Sequence, residues 1–102
     1  MGITPRPEVL IAQIRFLSET TELVIFSDHA QERMDERGIS DLDVYEVLKK
    51  GMIKSGINPG KRSNEWACKI TYNVRGSREI GTAVVVMNDQ KLWITTVEWE
   101  DL

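Results

Sequence analysis

Apolar residues recur at helical spacing through the first fifty positions and change to strand-like alternation near residue 65. Leu10, Ile14 and Leu17 share one face of a helix predicted over 7–17. Thr4, Pro5 and Pro7 mark its start, because the first helical turn has no use for the N–H that proline lacks. Residues 22–26 are a short apolar stretch that fits either an extended segment or a bridging turn. Ser27 or Asp28 then caps a second helix, with Gln31 as the capping-box partner of Asp28, and Gly38 stops it after Arg37. Ser40 and Asp43 repeat the box and open a third helix that ends at Lys50, before Gly51. Its apolar set is Leu42, Tyr45 and Leu48, with Val44 and Val47 alongside.

The segment 51–64 holds glycine, proline and serine among its cations and reads as a mobile basic loop. From Trp66 the side chains alternate. Trp66, Cys68, Ile70, Tyr72 and Val74 take one face, and Lys69, Thr71, Asn73 and Arg75 the other. Residues 75–78 read as a hairpin turn, and Ile80 to Met87 as a strand apolar on both faces, which suits the centre of a sheet. Residues 88–91 form a second turn before a strand over 92–99 rich in Thr, Val and Trp. The expected architecture is α+β: one domain, with helices in 1–50 packed on an antiparallel β-meander in 65–102.

Composition narrows the class. With 41% apolar and 28% charged residues, the 102-residue chain is ordinary for a globular domain. No apolar run reaches the roughly 20 residues that span a bilayer, and the opening residues lack the apolar core of a secretory signal, so a cytoplasmic protein without a membrane partner is expected. One Cys and one His leave no ligand set for a structural zinc site, and Gly56, Pro59 and Gly60 make no phosphate-loop pattern, so neither metal nor cofactor is expected. Cys68, on the apolar face, reads as a buried small hydrophobe.

Charge is unevenly distributed. The net charge is −3, yet residues 49–78 carry eight basic residues against the single acid Glu65. This stretch fits either a solvated polar face or a phosphate-binding surface. Lys54, Lys61, Arg62, Arg75 and Arg78 are its candidate RNA contacts.

The sharpest local pattern surrounds the only histidine. His29, Arg33 and Arg37 recur at i, i+4 and i+8 and form one stripe on a helix whose docking stripe is Ala30 and Met34. His29 falls in the first turn, where unpaired N–H groups favour an anion. Imidazole can move protons near neutral pH, and guanidinium can stabilise the charge of a pentavalent phosphate. The same residues also fit a capping histidine and two surface ion-paired arginines. Lys69 and Tyr72 are candidates for a second acid–base group, although alternation puts them on opposite strand faces. A helix-turn-helix through Gly38-Ile39-Ser40 is disfavoured by the acidic start of its second helix.

The run His29-Ala30-x-x-Arg33-Met34-x-x-Arg37-Gly38-Ile39-Ser40-x-x-Asp43-Val44, reaching Gly51, resembles the opening motif of a small bacterial domain family of unknown function. The closing Ile94-Thr95-Thr96-Val97-Glu98-Trp99 is similar to that family's last strand, which commonly carries an aromatic residue at the position of Glu98. The Glu65-Trp66 strand start is also similar to MqsR-like toxins. This resemblance implies kinship with RelE-like and MqsR-like toxins, metal-independent ribonucleases with a curved antiparallel sheet packed on helices. It further implies mRNA as substrate, free or on the ribosome, and a cognate antitoxin with a small zinc finger as partner.

Two functions are therefore expected of this sequence. The first is a toxin-type endoribonuclease in which His29 transfers protons, Arg33 and Arg37 stabilise charge, and Lys69 or Tyr72 assists. The second is a non-catalytic module that binds RNA or protein through the basic 49–78 surface or a sheet edge. Trp66, Trp93 and Trp99 fit core packing or base stacking, and Trp99 also fits a partner's docking surface.

Overall fold

A computed structural model describes residues 3–76 and 78–100, with the backbone alone at Arg75. Helix α1 (Pro7–Ser18) buries Leu10, Ile14 and Leu17, the expected stripe, and Ile11 widens it. A 3₁₀ turn at Thr21–Leu23 leads into β1 (Val24–Phe26). Ser27 is the cap of α2 (Asp28–Arg37), its Oγ accepting from the Ala30 N–H at 3.0 Å, and Gly38 closes the helix in the left-handed region at φ 67°. Helix α3 (Asp41–Lys50) opens on a complete capping box between Ser40 and Asp43. The Arg15 guanidinium joins α1 to the end of α3 by donating to the carbonyls of Lys49 and Gly51, groups that a helix terminus otherwise leaves unpaired.

Five more strands follow: β2 (Met52–Ile53), β3 (Asn58–Pro59), β4 (Trp66–Arg75), β5 (Arg78–Val86) and β6 (Leu92–Trp99). The sheet order is β1-β6-β5-β4-β2, with β3 also paired to β4. The fold is α+β, and β4, β5 and β6 form the expected antiparallel meander. The strand apolar on both faces, β5, lies at its centre.

Three expectations are corrected. The sheet is mixed: β1, from the helical half of the chain, pairs in parallel with β6, Val24 opposite Leu92. Three residues are too few for a period to register, so only the partner decides that they are a strand. The 51–64 segment is not wholly loop, because β2 and β3 hydrogen-bond to the outer edge of β4. Pro59 is tolerated there as it is on other edge strands. In α3 the buried stripe is Val44, Val47 and Leu48, while Leu42 is 72% exposed. The helix carries two apolar arcs, and it presents the β-branched one to the sheet.

One core cluster lies between the helices and one face of the sheet, with Ile70, Ile80, Val84, Leu92, Ile94 and Val97 fully buried. The other face carries Lys69, Thr71, Gly81, Ala83, Val85, Trp93 and Glu98, as register and alternation require. Helix α2 flanks this face. Pairing with β1 stops at Ile94, and α2 takes over the next stretch of β6. Ser27 donates from its N–H to the Ile94 carbonyl (3.0 Å) and from Oγ to that of Thr95 (3.2 Å), and Trp99 Nε1 donates to the Arg37 carbonyl at the far end (3.0 Å).

Leu48→Ala should lower unfolding stability by about 2–5 kcal/mol, since it empties a closed site. Leu42→Ala should stay within about 0.5 kcal/mol. Urea unfolding of the two variants measures both, and equal losses would contradict the assigned helix rotation.

Candidate functional site

The uncovered sheet face has a hollow at each end. At the end of β6, Arg37, Lys69, Glu98, Trp99 and Glu100 line one of 230 Å³. Alternation along β6 sends Glu98 and Glu100 to the uncovered face and Trp99 to the core. The Glu100 carboxylate reaches across β5 to Lys69 (2.6 Å) and Lys54 (2.8 Å) on the far side. Its path explains Gly81: a Cβ there would fall against the Glu100 carboxylate and within 2.7 Å of Lys69 Cε. Lys69 also pairs with Glu98 at 2.9 Å. Helix α2 delivers Arg37 to the rim, where its Nη1 is buried without a hydrogen-bond partner among the described residues.

The charges in this hollow hold one another. Burial pushes the Glu100 carboxyl up, but hydrogen bonds and attraction from Lys54 and Lys69 together outweigh it and hold the group below the ordinary value of 4.5. Lys69 is raised, chiefly by its bond to Glu100 and against desolvation, with Glu98 adding to the rise. Lys69 therefore stays an ammonium at neutral pH and acts as a fixed positive charge.

The second hollow, of 510 Å³, lies between the start of β6 and the 59–65 segment. Val85, Met87, Trp93 and Thr95 line it from the sheet, and Lys61, Arg62 and Glu65 from the segment. Trp93 is 36% exposed, whereas Glu65 is buried.

The sequence candidates divide among several places. Arg37 and Lys69 share the first hollow, and Lys54 joins it through Glu100. Lys61 and Arg62 line the second. Arg78 stacks over the Trp99 ring at 4.0 Å. Tyr72 packs against the core, on the face opposite Lys69. His29 is exposed in the first turn of α2, and Arg33 pairs with Glu36 at 2.5 Å, so of the helical stripe only Arg37 lines the hollow. The Arg75 side chain lies outside the described residues. Trp99 is buried beneath Arg78 and bound to Arg37, which removes it from an exposed docking surface. Trp66 packs against the core, and burial pushes the Cys68 thiol up to about 11, leaving it protonated and inert.

Glu98, Glu100 and Gly81 are absent from the sequence candidates. Their signals were present: two acids at i, i+2 near the end of a strand, and a lone glycine inside an apolar strand, which marks a close approach to the backbone. Among the described residues, no three of His, Cys, Asp and Glu converge as metal ligands, and no helix is long and apolar enough to cross a membrane.

Because the Glu100 carboxyl is depressed in the folded state, its ionised form stabilises the fold fully above pH 4.5, and this contribution disappears as pH falls through the lower folded value. Glu100→Gln should therefore unfold more readily than wild type at pH 7, and the gap should narrow in acid. Parallel urea titrations at pH 7 and pH 3 check this, and a gap independent of pH would refute the assignment.

Neither a curated protein nor a solved structure matches the chain. A family profile does match, across residues 26–99, from the end of β1 to the end of β6. This span takes in α2, the meander and both hollows except Glu100, and the chain belongs to the domain of unknown function family DUF4258.

Proposed function

We propose that this protein is a metal-independent endoribonuclease whose reaction takes place in the hollow of Arg37, Lys69 and Glu98. The observation that carries the reading is the buried Nη1 of Arg37, without a hydrogen-bond partner among the described residues, beside a fixed ammonium and a half-exposed carboxylate. An unsatisfied guanidinium N–H is costly unless an anion completes it, and a phosphodiester supplies such an anion. The positive 49–78 stretch contributes Lys54 and Lys69 to this end of the face and Lys61 and Arg62 to the other. A single strand lying along β5 would contact both.

In this reading Glu98 takes the proton of a ribose 2′-hydroxyl as the oxygen attacks the adjacent phosphorus. Arg37 and Lys69 stabilise the charge on the phosphorane. The P–O5′ bond breaks, the 5′-oxygen takes a proton from water, the hydroxide so formed takes back the proton held by Glu98, and the products are a 2′,3′-cyclic phosphate and a 5′-hydroxyl. Carboxylate replaces imidazole as the base because His29 sits at the opposite end of α2 from Arg37, about 12 Å along the axis at 1.5 Å per residue. The biological setting would be the one that the opening motif implies: the toxin of a pair related to RelE-like and MqsR-like proteins, restrained by an antitoxin with a small zinc finger.

A second reading has its own support. Lys69 is engaged by two carboxylates, which suits a face that binds RNA without cutting it.

Incubation of end-labelled mRNA with the protein and EDTA, with and without ribosomes, separates the two. Cleavage with cyclic-phosphate ends is expected, reduced at least about 100-fold in Arg37→Ala and Glu98→Gln and little changed in His29→Ala. RNA that is bound but remains intact in every lane would replace the nuclease with the binding module. Loss of cleavage in His29→Ala alone would move the chemistry to the start of α2.

A further inference from the structure

We propose that the hollow beside Trp93 is a nucleobase site that selects one unpaired guanine of an RNA strand. The proposal rests on the preceding reading only in taking RNA as the ligand, and it concerns the opposite end of the uncovered face.

At 510 Å³ the hollow falls within the roughly 300–1,000 Å³ typical of small-molecule sites. Its floor is apolar, and Trp93 offers a partly exposed indole beside Val85 and Met87. Unpaired bases stack on such rings. Lys61 and Arg62 stand exposed at the rim, where the phosphates flanking a seated base would lie. The rim is itself held in shape. The Gly60 N–H donates to the Glu65 carbonyl at 2.7 Å, the Glu65 N–H donates to that of Arg62 at 3.3 Å, and Asn64 takes the left-handed conformation at φ 64°.

Glu65 supplies the selectivity. It is the one acid among the cations of 49–78, it is only 7% exposed, and it lines the hollow. None of the described residues donates to its carboxylate. A carboxylate lining a hollow offers two parallel acceptors to a ligand seated there. Guanine alone presents two adjacent donors, N1–H and N2–H, on its Watson–Crick edge. Uracil sets one N–H between two carbonyls, and adenine and cytosine set an amino group beside a ring-nitrogen acceptor that a carboxylate repels.

The two hollows are linked by the same strand. Gly81 lies under the first and Val85 beside the second, about 13 Å apart at 3.3 Å per residue, with Ala83 between them. A guanine seated on Trp93 would thus set the register of the strand along β5.

Fluorescence anisotropy of labelled 2′-O-methyl hexanucleotides tests this, since the methylated ribose can be bound but not cut. A hexamer with one G among uridines should bind at least about 10-fold tighter than all-U or than its A- or C-containing counterparts. Trp93→Ala should remove about 10-fold of that affinity. Glu65→Gln should remove the preference, so that the G-hexamer and all-U bind alike. Equal affinity for all four hexamers, or an unchanged G-hexamer in Trp93→Ala, would overturn the proposal. Glu65 is buried, so circular dichroism checks its variant, and exposed Trp93 decides the matter if that variant fails to fold. A guanine preference without cleavage of ordinary RNA would keep the base site and remove the nuclease. Cleavage without any base preference would do the reverse.

Discussion

A single layer of helices can cover only one face of a sheet. All three helices join the same core cluster, because most of the large apolar side chains of β4, β5 and β6 alternate onto one side. The opposite face carries lysine, threonine and two glutamates, with small side chains, Val85 and Trp93 among them. Both hollows lie on that face or at its rim. The division of labour follows from the period of two in an extended chain, before any particular ligand is considered.

What gives the uncovered face its shape is the way charge is placed on it. Glu100 lies flat across β5 and joins the last strand to Lys69 and Lys54 on the far side, a route open only because residue 81 has no side chain. The result is an end of the sheet fixed by opposite charges, beside an arginine whose buried Nη1 has no acceptor among the described residues. A partner with negative charge would meet cations already held in place, and preorganised charge acts more strongly on a ligand than charge that must first be gathered.

The sequence revealed most where the signal was local. The Ser27 and Ser40 caps, the Gly38 stop, the Leu10–Ile14–Leu17 stripe and the two faces of β4 could all be read from neighbours within a few residues. The failures share one physical cause. β1, β2 and β3 are two or three residues long and owe their identity to partners elsewhere in the chain. Leu42 lost its place to Val44 because helix rotation was decided by the sheet it meets. The candidate site was legible only in part for the same reason. Arg37 and Lys69 are drawn together across the fold, while His29, with the most suggestive chemistry, stands apart in solvent.

The parallel pairing of Val24 with Leu92 sets the order in which the molecule can assemble. A chain emerging from the ribosome presents α1, β1 and α2 early, yet β1 has no strand beside it, and α2 no strand to lie along, until residues 92–99 have been made. Helices and the local β4–β5 hairpin can form in that interval, and their apolar faces remain open to other proteins or to chaperones. Completion of the fold is thus a late event, because β1 and α2 reach their places only against β6. The nascent chain has no uncovered sheet face of the kind described above, and any action that depends on that face begins only after the last strand is in place.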